Sequence, residues 1–394
     1  MPRSLARGGL LCLLLSAVIG CTVIKDNYNK ILDRDPDSKP KPAELVQFPT
    51  TLKVTEAWSG SFGSGAEKQY LKLTPAYADG RIYTADRDGR VMAVDAQKGS
   101  TIWELRDKKQ RISGGPGVGE GLVMVGTSKA MVLAYDAATG KPRWATKVSS
   151  EVLSPPVASD GVVIVRAGDG KMMALGAADG KLHWTYDRSI PTLTLRGSGT
   201  PVIHENLVVA GFDNGRLVAL DLHSGKTIWE TRLAEPTGRS DLERMVDVDS
   251  EPVIAGNTAY VACFQGRVAA VALDDGRVEW TRDISSYADL SVDDERLYVT
   301  DDKGTVWALK LEDGSDAWKQ PALLNRAPTG PTRIDDFVVV GDFEGYLHFM
   351  DRYNGKFAQR VRVDKKRILT SPIRVDDLLL GYSSAGELVA YRLH

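Results

Sequence analysis

The chain has 394 residues, of which 43% are hydrophobic and 26% are charged, and its formal net charge is −2. A nearly neutral chain gives no electrostatic reason to expect nucleic acid as a partner. The length allows two or three ordinary domains or one large all-β domain.

The first twenty residues have the pattern of an export signal. Two arginines precede an apolar run over residues 8–19, which is too short to cross a bilayer as a helix. The run ends in VIGC at residues 18–21, which resembles a bacterial lipobox. We therefore predict a lipoprotein signal peptide over residues 1–20, removed together with Cys12, and lipid attachment at Cys21. The alternative is a plain secreted protein in which Cys21 has no special role.

Residues 21–50 are polar and contain four prolines. This composition predicts a lipid-anchored flexible tether, which would let a soluble domain work at some distance from its anchor. After Cys21 the sequence has a single cysteine, Cys263. We therefore expect no intramolecular disulfide, so stability must come from the core.

The rest of the chain repeats one unit eight times. Each unit has a glycine, then an apolar stretch, then a second glycine, as in DGRVMAVDAQKGSTIW at residues 88–103. The first glycine recurs at Gly89, Gly170, Gly215, Gly266, Gly304, Gly345 and Gly386, with Ala130 in the second unit. A period near 41 residues is typical of four-stranded propeller blades.

Alanine and tryptophan also recur at fixed places in the unit. The alanines are Ala93, Ala134, Ala174, Ala219, Ala270, Ala308 and Ala390, with Phe349 as the exception. The tryptophans are Trp103, Trp144, Trp184, Trp229, Trp280 and Trp318, with Gln359 in the seventh unit. We predict that the alanine lies where sheets approach closely and that each indole fills an outer seam, its N–H donating to a backbone carbonyl. Four short strands per unit predict an all-β fold over residues 51–394, an eight-bladed β-propeller of four-stranded antiparallel blades.

The eighth unit stops at His394 without a tryptophan-bearing fourth strand. Trp58 lies 45 residues before Trp103, which is about one repeat period. We therefore predict that an N-terminal strand around Trp58 completes the last blade and removes an open sheet edge.

The unit AYDAATGKPRW at residues 134–144 resembles the repeats of pyrroloquinoline-quinone-dependent dehydrogenases. A shared fold does not carry activity with it. That family typically has adjacent cysteines over the quinone and Glu, Asn and Asp ligands to calcium, whereas this sequence has no adjacent cysteines. It also lacks the P-loop, G-x-S-x-G and H-E-x-x-H motifs, and its five histidines occupy different repeat positions. We expect no catalytic residue, no cofactor and no metal.

The lipobox, the tether and eight repeats with N-terminal closure are together similar to the BamB family, lipoprotein subunits of the outer-membrane β-barrel assembly machinery. The resemblance covers essentially the whole chain and is sharpest in SIPTLTLRG at residues 189–197 and PTGRSDLERMVDVD at residues 236–249. It implies a non-catalytic scaffold, lipid-anchored at the periplasmic face of the outer membrane, that assists folding and insertion of β-barrel proteins. In that family the two segments dock a periplasmic POTRA domain of the subunit BamA.

Carried over residue by residue, the implied partner contacts are Leu193, Leu195 and Arg196 in the first segment and Asp247 and Asp249 in the second. Leucines two apart share one face of an extended segment, and arginine adds a planar fork of donors. In the plainer interpretation the leucines are buried staples. The aspartates would then cap turns or pair with Arg196 in the same molecule.

Two other functions remain open at this point. One is a degenerate quinone enzyme or other periplasmic hydrolase, and the other is a glycan-binding envelope propeller with aromatic residues on one loop face. Nascent outer-membrane β-barrel precursors are a further candidate partner, held by strand edges through β-augmentation.

Overall fold

The computed structural model describes residues 40–66, 71–187, 199–235 and 246–394. These residues form thirty-two strands in eight four-stranded antiparallel sheets, which we call blades 1 to 8. Within these ranges no helix is long and apolar enough to cross a bilayer. The predicted eight-bladed propeller is confirmed.

The strands of the first four blades follow one another along the chain. Blade 1 contains β2 (Ala76–Ala78), β3 (Arg81–Ala85), β4 (Arg90–Asp95) and β5 (Thr101–Arg106). Blade 2 contains β6 (Ile112–Gly119), β7 (Leu122–Thr127), β8 (Met131–Asp136) and β9 (Pro142–Lys147). Blade 3 contains β10 (Val157–Ser159), β11 (Val162–Arg166), β12 (Met172–Gly176) and β13 (Leu182–Tyr186). Blade 4 contains β14 (Val202–His204), β15 (Leu207–Phe212), β16 (Arg216–Asp221) and β17 (Thr227–Arg232).

Blades 5 to 7 also follow one another along the chain, and blade 8 combines strands from both ends of it. Blade 5 contains β18 (Val253–Ala255), β19 (Thr258–Ala262), β20 (Val268–Ala272) and β21 (Val278–Arg282). Blade 6 contains β22 (Ser291–Val292), β23 (Arg296–Thr300), β24 (Val306–Lys310) and β25 (Asp316–Gln320). Blade 7 contains β26 (Thr332–Ile334), β27 (Phe337–Gly341), β28 (Tyr346–Asp351) and β29 (Phe357–Arg362). Blade 8 contains β30 (Ile373–Val375), β31 (Leu378–Tyr382), β32 (Glu387–Leu393) and the N-terminal β1 (Val54–Ser61).

Burial explains the composition of each strand position. The second and third strands of a blade lie between neighbouring sheets, so they are apolar on both faces, and every residue of β7 and β12 is buried. The outer strands alternate between more and less exposed residues, as in β5 and β9. The core therefore lies between the blades rather than inside any one of them.

The ring closes as the repeat period predicted. β1 pairs antiparallel with β32 as the outer strand of blade 8. Apolar side chains of blade 8, including Leu380 and Ala390, pack in one cluster with Ile82 and Met92 of blade 1. The N-terminal strand is confirmed as the element that completes the last blade.

The alanine of the third strand and the tryptophan of the fourth strand are paired directly opposite each other within a blade. In blade 4, Ala219 is fully buried and pairs with Trp229, whose Nε1–H donates to the carbonyl of Leu273 in blade 5 at 2.6 Å. The ring of Trp229 also lies against Gly276, where an added Cβ would be 2.7 Å from the indole and φ is +74°. Only glycine combines that backbone conformation with so close an approach. The same indole-to-carbonyl bond joins the other Trp-bearing seams, from Trp58, Trp103, Trp144, Trp184, Trp280 and Trp318.

Blade 7 exchanges both members of this pair. Phe349 of the third strand replaces the alanine and pairs with Gln359 of the fourth strand. The larger side chain of the pair therefore lies on the third strand and not on the fourth. Gln359 still donates across the seam, because its Nε2 lies 3.1 Å from the carbonyl oxygen of Leu52. The N-terminal segment thus supplies the acceptor that a following blade supplies elsewhere.

Residues 43–53, which we call the strap, pack on blade 7 and on the connection that precedes it. The N–H of Ala43 donates to Leu324 O at 2.9 Å, and the N–H of Thr51 donates to Ala358 O at 3.0 Å. Between them, the ring of Phe48 stacks on Phe357 with centroids 5.3 Å apart. The predicted tether boundary at residue 50 is therefore too late, because residues 43–50 already belong to the compact unit that begins at Ala43.

A buried polar network in blade 7 lies under the strap. Asp342, fully buried, accepts hydrogen bonds from His348 Nε2 at 3.0 Å and from Arg326 Nε at 2.9 Å. Arg360 Nε donates to Nδ1 of His348 at 3.1 Å, and burial lowers the pKa of this histidine. The two arginines then donate to strap carbonyls, Arg326 to Ala43 and Arg360 to Val46. This His–Asp pair therefore has a structural role in attaching the strap.

The antiparallel order of each blade gives the propeller two different faces. The turn between second and third strands lies at the same end as the connection to the next blade, and we call this end the crossover face. The turns between first and second strands and between third and fourth strands lie at the opposite end.

Candidate functional site

The two segments singled out by the sequence lie in the connections between blades 3 and 4 and between blades 4 and 5. We call residues 187–201 the first connection and residues 233–252 the second connection, and both join the crossover face. Leu193, Leu195 and Arg196 lie outside the described residues, as does Cys21. The described ends of the two connections show how they rejoin the propeller.

Those ends lie against each other. At Gly199 an added Cβ would be 2.9 Å from Ser250 O and 3.1 Å from Asp249 O, so the two backbones are in direct contact. The second connection also pairs with the turns of the flanking blades, where Asp247 forms isolated bridges with Asp213 and Phe264. The two connections therefore share one base at blades 4 and 5.

Asp247 and Asp249 belong to this base and are not surface groups in this chain. Only 1% of Asp247 and 6% of Asp249 is exposed, and Val248 between them is fully buried. Val248 fills the space beside Gly211, where an added Cβ would be 2.3 Å from Val248 Cγ1. The segment thus lies between two blades, so its polar positions are covered as well as its apolar one, and direct contact of Asp247 and Asp249 with a partner stays a prediction.

Arg166 is the functional candidate that the sequence reasoning missed. It ends β11 and is 2% exposed, with Nη2 3.2 Å from Asp213 Oδ1 and Nη1 donating to Gly199 O at 3.2 Å. Its guanidinium also lies 5.3 Å from the ring centroid of Phe212, a cation–π distance. The available signal was its position as the charged residue at the end of the apolar run VVIVR.

Burial dominates the electrostatics of this base. It raises the pKa of Asp249 to about 7, with Arg166 opposing the shift and Asp247 and Asp213 adding to it. Within the described ranges, neither carboxylate oxygen of Asp249 has a hydrogen-bond partner. Burial also raises the pKa of Asp213, against the attraction of Arg166. A neutral Asp249 is therefore the favoured form in mildly acidic solution, below its raised pKa.

Further charges of the crossover face lie near the start of the innermost strands of blades 5 and 6. Lys72 Nζ is 3.9 Å from Asp289 Oδ1 and donates to Tyr287 O at 3.4 Å. Glu251 keeps solvent-exposed surface. Desolvation of its carboxyl by the surrounding protein, together with the charge of Asp289, raises the pKa of Glu251 to about 7. Tyr287 also meets Phe264 edge to face at 6.2 Å.

Little in the described ranges has the geometry of a reaction centre. They contain no group of three or more His, Cys, Asp or Glu residues placed to hold a metal. Cys263 is fully buried, and burial raises the pKa of its thiol to about 12, far from a reactive thiolate. A cavity of about 480 Å³ opens elsewhere, between blades 1 and 2, and is lined by Leu105, Tyr135 and Trp144.

Comparisons with known proteins agree on one family. A protein-family model described as outer membrane protein assembly factor BamB matches residues 55–111 and 87–320. The outer membrane protein assembly factor BamB of Xanthomonas campestris is 41% identical over 398 residues, covering 98% of this chain and 97% of the relative.

Solved structures show the same fold. The crystal structure of BamB from Moraxella catarrhalis superposes with a TM-score of 0.79 at 25% identity and covers 86% of this chain and 100% of that chain. A quinohemoprotein alcohol dehydrogenase of Pseudomonas putida reaches a TM-score of 0.71 at 13% identity, covering 86% of this chain and 76% of that chain. The second likeness concerns the fold alone. Since a relative 41% identical matches nearly the full length, the chain belongs to the BamB family of outer membrane protein assembly factors.

Proposed function

We propose that this protein is a non-catalytic scaffold of the outer-membrane β-barrel assembly machinery that docks the periplasmic POTRA region of BamA. The observation that carries the proposal is the shared base, which brings both connections to one place on the crossover face through the contact of Gly199 with Ser250 and Asp249. Two separated segments can then act as one interface. The name of these relatives, assembly factor, supports a role in assembly rather than in catalysis.

In this proposal Leu193, Leu195 and Arg196 contact the partner directly. Apolar anchors beside an arginine form the kind of centre that dominates interface energetics. Asp247 and Asp249 contribute indirectly, by supporting the base of the second connection, since both are buried in this chain. Docking BamA would place the scaffold next to nascent barrel precursors and so assist their folding and insertion.

Leu195→Asp or Arg196→Glu is expected to abolish co-purification of BamA from solubilised envelopes while leaving the thermal midpoint nearly unchanged. The aspartate places a charge in an apolar contact, and the glutamate reverses a charge at the interface. Leu182→Asp is the matched control, because Leu182 is 58% exposed on an outer strand of blade 3. Undiminished capture by the Leu195 variant, or collapse of its fold, would refute the interface.

We propose further that Cys21 is lipidated and holds the protein at the periplasmic face of the outer membrane. Cys21→Ser is expected to release a folded propeller into the soluble periplasm, because a propeller with a polar tether has no other anchor in this proposal. Fractionation should be done in cells lacking BamA, so that the partner does not retain the variant. A Cys21→Ser variant that still sediments with membranes in those cells would contradict the anchor.

A further inference from the structure

Arg166 contacts the bases of both connections through different atoms of one guanidinium. Nη1 donates to the carbonyl of Gly199, the first described residue after the gap in the first connection. Nη2 pairs with Asp213, whose backbone bridges to Asp247 in the second connection. A planar fork of fixed donors suits such a bridging role better than a single ammonium group would.

The turns around Arg166 differ from those of the other blades. In blades 1, 2, 6, 7 and 8 the side chain three residues before the first glycine of the repeat, or before Ala130 in blade 2, accepts an N–H from four residues later. These residues are Asp86, Thr127, Asp301, Asp342 and Ser383.

In blades 3, 4 and 5 the equivalent position holds an apolar or weakly polar side chain. The three residues are Ala167, Phe212 and Cys263. None of them has a carboxylate or hydroxyl oxygen that could accept the backbone N–H of its turn. These are the blades that the two connections join. Arg166, next to Ala167 and over the ring of Phe212, ties this part of the crossover face together between blades instead.

We propose that Arg166 is a positioning residue for the docking surface, which it serves without touching the partner. It fixes the bases of the two connections relative to each other, so that the partner meets both in one arrangement. The inference rests on the proposed function. It assigns part of the binding energy to a residue that is only 2% exposed.

The chain offers a matched control for a buried arginine pair. Arg326 is 4% exposed and pairs with the fully buried Asp342 at 2.7 Å, but it lies in the connection between blades 6 and 7 and holds the strap. Removing either arginine takes a charged partner away from a largely buried carboxylate and destabilises the fold. The Arg166 role predicts a loss of partner affinity that the Arg326 variant does not share.

The test uses the mature full-length chain and the purified periplasmic region of BamA as the probe. Arg166→Met should weaken binding by about tenfold or more and speed amide hydrogen exchange in the described ends of the two connections, residues 199–201 and 246–252. Arg166→Lys should restore part of the affinity, since it keeps the charge but not both contacts. Arg326→Met should change affinity by less than about twofold, although its thermal midpoint falls.

Unchanged affinity and exchange in Arg166→Met would overturn the inference. Should that variant not fold, the double variant Arg166→Met with Asp213→Leu removes both charges and takes its place, and wild-type affinity in it would be equally decisive against the inference. Leu195→Asp separates the two proposals in the same assay. If Leu195→Asp binds normally, the docking proposal fails, while the exchange data still decide whether Arg166 positions the two connections.

Discussion

A chain that begins at residue 62 is expected to lose the closed propeller. It lacks β1, which pairs along its whole length with β32, and it lacks Trp58, whose indole donates to Ala96 O and packs on Gly99 of blade 1. Losing a half-buried tryptophan together with its strand costs on the order of a few kcal/mol, a large share of the roughly 5–15 kcal/mol that separates folded from unfolded domains. The exposed edge of β32 would also favour association. Thermal unfolding and size-exclusion chromatography measure both effects.

Two longer chains are the controls for this deletion. A chain that begins at residue 43 keeps the strap and should unfold at the temperature of the mature protein. A chain that begins at residue 51 keeps β1 but removes the strap carbonyls that Arg326 and Arg360 contact, and should lose about 1–3 kcal/mol. Wild-type unfolding of the chain from residue 62 would show that ring closure does not depend on β1.

Asp249→Asn is expected to stabilise the protein relative to wild type increasingly as the pH rises from 4 to 8. The pKa of Asp249 is raised by burial from 3.8 to about 7, so folding takes up a proton between these two values. Wild-type stability from this group is therefore highest below the unfolded pKa and falls as pH approaches 7. The variant lacks that loss, which is on the order of 4 kcal/mol.

Denaturant unfolding of both proteins across this pH range gives the difference directly. Asp221→Asn is a control of opposite sign, because the hydroxyl and backbone N–H of Ser224 lower the pKa of Asp221. Wild type gains stability from Asp221 as pH rises through the lowered pKa toward 3.8, so from pH 4 to 8 the Asp221→Asn variant should be less stable than wild type by a constant amount. Parallel pH curves for Asp249→Asn and wild type would rule out a buried, destabilising carboxylate.

Much of the fold was predictable because its signals recur within the chain. Each tryptophan, such as Trp229, pairs with the alanine of its own repeat and donates to a backbone carbonyl of the next blade. One physical explanation of the packing therefore applies to every Trp-bearing seam. The position of Trp58 one period before Trp103 was enough to predict closure. The glutamine at position 359 was not predictable in this way, because its acceptor is the carbonyl of Leu52, which lies far from it in the sequence.

The base of the candidate site was not predictable, because non-local contacts form it. Alternation places Asp247 and Asp249 on one face of an extended segment, but it does not tell whether another blade covers that face. Arg166 lies 33 residues before Gly199 and 47 before Asp213, and no spacing rule links such distant partners. The strap was misassigned for the same reason, since a polar, proline-containing segment has no periodicity that distinguishes a docked chain from a free one.

The strap also determines how mechanical load enters the molecule. A pull on the chain N-terminal to Ala43 meets the hydrogen bonds of Ala43 with the connection between blades 6 and 7, then that of Val46 with blade 7 and the stacked ring of Phe48, before it reaches β1. Blade 7 and the connection before it therefore bear the tension first, while the seam that closes the ring is shielded. A protein tethered by its N-terminus can in this way transmit force to its body without pulling directly on the strand that holds the ring shut.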